Sequence, residues 1–298
     1  MGNDLFSDAA LVLLGHGSTL HAGAAEPVSQ HAAALRRRGQ FSEVREAFWK
    51  QDPQIRSVLT SLTQARVVLC PMFMSEGYFS EQRIPVELGL RPKGDTPWNR
   101  RSAQDGRTLF YSYPVGTHPA MTSAILDRAR GIVEAFPFPR SPLPGDTTLL
   151  IAGHGTGQNQ ESRRAVEHQT ERVRALGIYA SVEPVFLEET PGIEDCYRLA
   201  RTRHLVVVPF FMGEGPHVIE DIPVRLGQPA SVVRDRLAAG RPPWRNPTEL
   251  RGKLVWYSPS VGTDPCLAEV ILARVREAVE FNPNVQTDLP AASLVRDR

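Results

Sequence analysis

The chain has 298 residues, of which 41% are hydrophobic and 22% charged, and its formal net charge at pH 7 is +1. This composition is typical of one large or two medium-sized globular domains, and the balanced charge argues against nucleic acid or an acidic membrane surface as a partner. Three dispersed cysteines, no signal-peptide pattern and no long apolar run favour a reducing, cytoplasmic location without a membrane span.

Short apolar runs alternate with segments of helical length along the chain. This alternation predicts βαβ units and an α/β fold, with a mainly parallel sheet of about four strands in each half, flanked by helices. The runs are apolar throughout, as expected for strands that are covered on both faces. In chain order the elements are a strand in ALVLL (10–14), a helix over 24–38, strands in RVVLC (66–70) and TLFYSY (108–113), a strand in TLLIA (148–152), a helix over 161–176, and strands in HLVVVP (204–209) and KLVWYS (253–258).

The second half of the sequence repeats the first. His154 minus His16 gives an offset of 138, and this offset recurs without a gap as far as Gly89 and Gly227. Beyond Gly227 the offset is 146, so the second copy carries an insertion of eight residues (146 minus 138). A proline-rich stretch over 136–146 separates the copies, and we predict one domain over residues 1–140 and a second over residues 141–298. The aromatic pairs Trp98 and Trp244, and Tyr111 and Tyr257, recur in both copies, and we expect them to pack the domains.

Each copy places a histidine between two glycines directly after its first strand. These residues are His16 in the first copy and His154 in the second. Ligands of open α/β sheets bind outside the carboxyl ends of the strands, so both imidazoles are candidates for a binding site. Flanking glycines let the backbone turn sharply and leave the imidazole uncrowded.

A second candidate histidine, after the third strand, is present in the second copy alone. His217 follows the third strand of that copy, and we expect it on a loop at the same sheet edge as His154. Two imidazoles facing one crevice suit zinc, cobalt, nickel or iron and leave coordination positions open for a substrate. The equivalent residue of the first copy, at 217 minus 138, is Phe79. The sequence therefore predicts a metal site in the second copy.

Carboxylates are also unequal between the copies. Glu188 follows the second strand of the second copy, where the first copy has Lys50. Glu188 is thus a candidate metal ligand or proton acceptor, although a solvated loop carboxylate is an equally simple interpretation. Glu220 and Asp221 lie close to His217 and are candidates to orient its imidazole. Capping of a helix by Asp221 before Ile222-Pro223 is at least as good an interpretation.

The order and spacing of these motifs resemble a known family. The sequence GHGS, a Phe-Pro segment, and then PMFMSEG or PFFMGEGPHVIEDIP are similar to the CbiX/SirB-type tetrapyrrole chelatases, which are sirohydrochlorin cobaltochelatases and ferrochelatases. The resemblance covers both halves and implies two chelatase-like units that enclose a cleft. It also implies that a divalent metal is inserted there into an acidic tetrapyrrole during cobalamin or sirohaem synthesis.

This resemblance implies roles for individual residues. His154 and His217 would hold the metal and accept protons from the pyrrole nitrogens, Glu188 would be the accompanying carboxylate, and His16 is a further candidate ligand. The metal is a substrate, with Co²⁺ favoured over Fe²⁺ and Ni²⁺, and no organic cofactor is expected. Since one chain already contains both units, we expect a monomer or a weak homo-oligomer.

Two other functions have to be weighed against a chelatase. A phosphoryl-transfer enzyme with a histidine nucleophile also begins with a strand and a His-Gly pair. Such an enzyme would carry an arginine before the histidine, and Gly15 and Gly153 stand there instead. The loss of one histidine in the first copy also fits a non-catalytic metal or tetrapyrrole carrier on a degenerate chelatase fold.

Overall fold

The structure is a computed structural model that describes residues 6–19, 25–94, 98–138, 140–157 and 160–280. Within these residues the chain forms ten strands and nine α-helices. The strands are β1 (Ala9–Gly15), β2 (Glu43–Phe48), β3 (Arg66–Pro71), β4 (Arg101–Gln104), β5 (Arg107–Tyr111), β6 (Thr147–Gly153), β7 (Ser181–Phe186), β8 (His204–Pro209), β9 (Thr248–Leu250) and β10 (Lys253–Tyr257). The helices are α1 (Glu26–Arg38), α2 (Ile55–Ser61), α3 (Ile84–Glu87), α4 (Met121–Ala135), α5 (Glu161–Ala175), α6 (Cys196–Leu199), α7 (Ile222–Arg225), α8 (Ala230–Ala238) and α9 (Leu267–Glu280). None of these helices combines the length and the apolar character needed to cross a membrane.

Each half of the chain forms one five-stranded sheet. The strand order is β2-β1-β3-β5-β4 in the first sheet and β7-β6-β8-β10-β9 in the second. Four strands of each sheet run parallel, and β4 and β9 pair antiparallel with their neighbours. The register is also duplicated, because Leu11 pairs with Val44 just as Leu149 pairs with Val182. The predicted α/β fold with two mainly parallel, duplicated sheets is therefore confirmed.

The edge strands β4 and β9 are additions to the roughly four strands expected in each half. β4 has the sequence RSAQ and alternates between exposed and half-buried residues, while β9 has three residues, TEL. Neither carries the apolar run that marks the parallel strands. Short polar edge strands also discourage pairing with other chains, which explains why they lack a hydrophobic signal.

Alternate residues of each central strand face two different cores. In β1, Leu11 and Leu13 belong to a hydrophobic cluster between the sheets, whereas Val12 and Leu14 belong to a cluster on the outer face. β6 shows the same alternation. The cluster between the sheets contains side chains from both halves, so the two halves share one central core.

The last helix of each half packs on the sheet of the other half. α4 contacts β8 and β10 of the second sheet, and α9 contacts β3 and β5 of the first. These two helices lie between the sheets and contribute apolar side chains to the shared core. Each half thus packs against the other, on both sides of the boundary predicted at residue 140. The division into domains 1–140 and 141–298 stays a prediction from the sequence repeat.

Candidate metal-binding and catalytic site

Three side chains predicted from the sequence meet at the carboxyl edge of the second sheet. His154 directly follows β6, Glu188 lies two residues after β7, and His217 lies beyond the end of β8. The ring centroids of His154 and His217 are 4.8 Å apart, and their planes are inclined at 83°. Nε2 of His154 lies 3.8 Å from Oε1 of Glu188. The three side chains form one partly exposed cluster that a dissolved ion can reach.

The two glycines beside His154 are required by the local packing. A Cβ atom on Gly153 would lie 2.4 Å from Cγ2 of Val166 on α5, which is too close for any side chain. Gly155 adopts a φ of +64°, which is a conformation that favours glycine. The chain can therefore turn at the end of β6 and leave the imidazole at the sheet edge, as the sequence predicted.

A hydrogen bond fixes the tautomer of His154. Its Nδ1 lies 2.6 Å from the carbonyl oxygen of Gly155. A carbonyl oxygen can only accept, so Nδ1 carries the proton and donates. The lone pair of the neutral ring is then on Nε2, which faces Glu188 and is the atom available to a metal.

His217 is the first residue of a π-helical turn, His217–Asp221, so the expectation that it lies on a loop was wrong. Its Nδ1 donates to Oδ2 of Asp221 over 2.6 Å, which again leaves Nε2 for a metal. Asp221 makes no side-chain capping hydrogen bond to α7. Of the two roles considered for Asp221, the structure therefore favours orienting His217.

The neighbouring residues Glu188 and Glu189 have different surroundings. Glu189 is held by Arg163, whose Nη1 donates to Oε2 of Glu189 over 2.9 Å. The side chain of Glu188 is 54% exposed, and its carboxylate lies within ion-pair distance of the imidazole of His154. Glu188 is consequently the carboxylate that can move onto a metal or accept a proton.

The equivalent edge of the first sheet keeps the geometry and loses the second imidazole. The rings of His16 and Phe79 are 4.5 Å apart at 85°, close to the arrangement of His154 and His217. Nδ1 of His16 is hydrogen bonded to the carbonyl oxygen of Gly17 over 2.9 Å. Phe79 thus occupies the position of His217 without offering a donor atom.

The charges around His16 are also reversed. Lys50 stands where the second half has Glu188, and Arg83 stands where it has Asp221. Burial lowers the pKa of His16 and the nearby Lys50 lowers it further, against the hydrogen bond to the Gly17 carbonyl. Among the described residues, Phe79 offers no donor atom beside His16 and Lys50 repels a cation, so this edge attracts a divalent cation weakly.

A separate group of potential ligands lies where α4 of the first half meets the turn before α9. It consists of Asp127, Asp264 and Cys266. Oδ2 of Asp264 lies 3.2 Å from Nε of Arg128, and its Oδ1 accepts from the backbone N–H of Cys266 over 2.9 Å. Burial raises the pKa of the Cys266 thiol to about 12. Asp264 therefore serves the contact with Arg128 and the start of α9, so its carboxylate is already paired. The thiol of Cys266 stays protonated.

Comparison with known proteins connects this site to a family. The CbiX family model matches residues 10–132 and 148–278, once in each half. A protein of Halobacterium salinarum named a probable sirohydrochlorin cobaltochelatase is 37% identical over 279 residues, which cover 90% of this chain and 91% of that protein.

Solved structures share the fold of this chain. A multi-domain protein of Deinococcus radiodurans with structural similarity to chelatases superposes with a TM-score of 0.72 and 31% identity over 90% of this chain and 54% of that chain. The present chain therefore spans about half the length of that protein. The fold is also shared with the sirohydrochlorin chelatase SirB of Bacillus subtilis subspecies spizizenii in complex with cobalt, with a TM-score of 0.59, 16% identity, and coverage of 91% of this chain and 95% of that one. With both halves matched and a relative aligned over most of its length, the chain belongs to the CbiX family.

Proposed function

We propose that the protein inserts a divalent metal ion into a sirohydrochlorin-type tetrapyrrole and that the second half carries out the reaction. The observation that carries this proposal is the His154–His217 pair, in which both Nδ1 atoms are engaged and both Nε2 atoms are available. Membership of the CbiX family and the name of the Halobacterium relative support the same chemistry.

The proposed mechanism assigns one step to each side chain. His154 and His217 bind the incoming ion through Nε2 and leave its other coordination positions open to the macrocycle. Insertion replaces two pyrrole N–H protons by one M²⁺ ion, so two protons must leave the ring. Glu188 accepts one of them, and an imidazole that has released the metal accepts the other. Asp221 keeps Nε2 of His217 directed at the metal throughout.

We assign the metal to His154 and His217 and give His16 a structural role. The first half has Phe79 at the position of His217, and it has the cations Lys50 and Arg83 at the positions of Glu188 and Asp221.

We propose Co²⁺ as the ion, with Fe²⁺ and Ni²⁺ as alternatives that the same two imidazoles can bind. We also propose a cytoplasmic location, which the three free cysteines support, and a monomer, because both units of the cleft lie in one chain.

The test is the absorbance spectrum of sirohydrochlorin mixed with Co²⁺, with and without a catalytic amount of protein. We expect the protein to accelerate metal insertion and His217→Ala to abolish the acceleration. His168→Ala removes an exposed histidine of α5 outside the site and should retain full activity.

Two results would contradict the proposal. Equal acceleration by wild type and His217→Ala would remove the second-half site from the reaction. Stoichiometric tetrapyrrole binding without insertion of Co²⁺, Fe²⁺ or Ni²⁺ would identify a carrier built on a chelatase fold.

A further inference from the structure

Arg128 of the first half holds a turn of the second half. This arginine lies on α4, and the turn comprises residues 260–264 between β10 and α9. Nε of Arg128 donates to the carbonyl oxygen of Ser260 over 3.1 Å, and its Nη2 donates to Oγ1 of Thr263 over 2.8 Å. The carboxylate of Asp264 lies 3.2 Å from the same Nε. The guanidinium therefore connects both ends of the 260–264 turn to the first half.

His31 of the first half contacts the middle of the same turn. Its Nε2 donates to the carbonyl oxygen of Gly262 over 2.8 Å. His31 is buried and the side chain of Arg128 is 17% exposed, so water competes little for these hydrogen bonds. The position of the 260–264 turn is thus fixed by α1 and α4 of the other half.

The turn in its own right holds the segment between β8 and His217. The backbone N–H of Gly262 donates to the carbonyl oxygen of Phe211 over 2.9 Å. The backbone N–H and the hydroxyl of Ser260 both donate to Oε1 of Glu214, over 2.7 Å and 2.8 Å. Glu214 lies three residues before His217. The segment that leads to the metal site is therefore bound to the turn at two places.

Phe211 lies beside both imidazoles of the metal site. Its ring centre is 6.4 Å from that of His154 and 6.3 Å from that of His217. A shift of this segment would move Phe211 and the start of the π-helical turn together. Because functional side chains have to stay within about 0.5 Å of their working positions, such a shift would disturb the metal site.

The first half contains the same arrangement beside Phe79. The counterpart of Arg128 is Arg274 (274 minus 146), which lies on α9. Its Nε donates to the carbonyl oxygen of Pro114 over 3.1 Å, and its Nη2 donates to Oγ1 of Thr117 over 2.9 Å. Arg274 therefore holds the equivalent turn at the sheet edge that has no histidine pair.

The connection from the turn to the sheet edge differs between the halves. Pro114 stands at the position of Ser260 (260 minus 146) and has no N–H to donate. Glu76, the counterpart of Glu214 (214 minus 138), instead accepts from Oγ1 of Thr117 over 3.1 Å. Among the described residues, the turn thus gives Glu214 two hydrogen bonds and Glu76 one. The firmer connection belongs to the half with the histidine pair.

We propose that Arg128 is a positioning residue for the metal site. Through the 260–264 turn it fixes the segment that carries Phe211 and Glu214, and so keeps Nε2 of His217 opposite His154. The inference rests on the proposed function, because it takes the two histidines as the metal ligands. It gives the first half a part in metal binding that does not depend on its own sheet edge.

The experiment compares Arg128→Gln with Arg274→Gln in the full chain, without tetrapyrrole. Each change removes one positive charge and the equivalent hydrogen bonds between the halves, so both should lower the free energy of unfolding in urea by similar amounts. We expect Arg128→Gln to weaken Co²⁺ binding about fivefold by calorimetry, less than the loss of about tenfold or more that follows when the partner of a ligating histidine is changed. Arg274→Gln should bind Co²⁺ as wild type does.

The direction of this effect separates positioning from electrostatics. Removing a positive charge would by itself favour a bound cation, so weaker binding cannot arise from the charge alone. The visible absorption of the bound Co²⁺ provides a second readout, because it depends on the ligands of the ion. We expect the spectrum of Arg128→Gln to shift toward that of His217→Ala, and the spectrum of Arg274→Gln to equal that of wild type.

Ser260→Pro tests the next step of the same connection. Ser260 has a φ of −62°, close to the −63° of Pro114, so proline fits the backbone of the turn. The change removes both hydrogen bonds to Glu214 and keeps the carbonyl oxygen that Arg128 contacts. We expect a loss of Co²⁺ affinity of about fivefold, and about the same loss in the double variant with Arg128→Gln, because the two residues act in series.

Three results would overturn the inference. Co²⁺ binding by Arg128→Gln with the affinity and spectrum of wild type would remove the positioning role and leave the histidine site intact. Equal weakening by Arg128→Gln and Arg274→Gln would show a general effect of interface stability. If wild type binds no Co²⁺, or His217→Ala binds it equally well, the proposed metal site fails and the inference fails with it.

Discussion

Asp221 fixes the tautomer of His217, because its carboxylate accepts the hydrogen of Nδ1 over 2.6 Å and leaves Nε2 for the proposed metal. We expect Asp221→Asn to weaken Co²⁺ binding at least about tenfold, because the amide still accepts from Nδ1 but lacks the negative charge that makes the imidazole a stronger ligand. Calorimetric titration with Co²⁺ measures the change. Asp235→Asn, on the exposed face of α8, is the control and should bind as wild type does. An unchanged Kd for Asp221→Asn would mean that His217 is oriented by other contacts.

Replacing Phe79 tests whether the first half lost its metal site through one residue or through several. Phe79→His alone restores an imidazole beside His16 but leaves Lys50 and Arg83 in place. We expect it to bind no second ion, because the remaining cations repel the metal.

Adding Lys50→Glu and Arg83→Asp to Phe79→His should create a second site, so that the protein binds two Co²⁺ ions per chain where wild type binds one. The stoichiometry is read by metal analysis after gel filtration. A second ion bound by Phe79→His alone would show that the surrounding charge is unimportant.

The turn that precedes α9 approaches the segment beyond β8 so closely that a side chain cannot be accommodated. A Cβ atom on Gly262 would lie 2.2 Å from the carbonyl oxygen of Met212, and Gly116 meets Met74 in the same way. We expect Gly262→Ala to lower the free energy of unfolding by about 1–3 kcal/mol, measured by urea denaturation. Gly131→Ala, at an open position of α4, should instead stabilise by about 0.5–1 kcal/mol. A neutral Gly262→Ala would show that the segment holding His217 can shift freely.

The parallel strands, the duplication and the composition of the site could be predicted from local sequence. Apolar runs locate the strands. A constant offset aligns each site residue with its equivalent in the other copy, and this alignment places Phe79 at the position of His217. The edge strands β4 and β9 could not be found in this way, since they are short and polar. The packing of α4 and α9 on the sheet of the opposite half could not be predicted either, because an amphipathic helix has the same pattern whichever sheet it covers.

A cavity of about 920 Å³ between the two halves also escaped prediction. Its wall combines α1 of the first half with residues more than 100 positions later, such as Tyr257, which become neighbours only when the halves pack together.

At the scale of the whole molecule, the two halves are joined by pairs of equivalent hydrogen bonds. Arg128 donates to Thr263 over 2.8 Å, and its counterpart Arg274 donates to Thr117 over 2.9 Å. These bonds cross from one half to the other. The edges of the two sheets are thereby held in a fixed relation, which is what a cleft with one wall from each half requires.

His31 makes the stability of this interface depend on pH. It is buried on α1, and its Nε2 donates to the carbonyl oxygen of Gly262 over 2.8 Å. Burial lowers the pKa of His31 from 6.5, the charge of Arg128 acts in the same direction, and the hydrogen bond and Asp264 oppose the change. As pH falls through 6.5 the unfolded chain therefore binds more protons than the folded one, and the free energy of unfolding decreases until the lower folded pKa is passed.

The substitution His31→Gln separates this titration from the hydrogen bond, because the equivalent residue of the second half is already a glutamine. Gln169 donates to the carbonyl oxygen of Gly116, the counterpart of Gly262, over 3.3 Å. We expect His31→Gln to be nearly as stable as wild type at about pH 7.5 and to lose less stability than wild type at about pH 5.5, as measured by urea denaturation. His118, whose pKa burial also lowers, titrates in both proteins, so its contribution cancels in the comparison. Parallel pH profiles would show that His31 accepts a proton in the folded interface without cost, and that the two halves tolerate a charge where they meet.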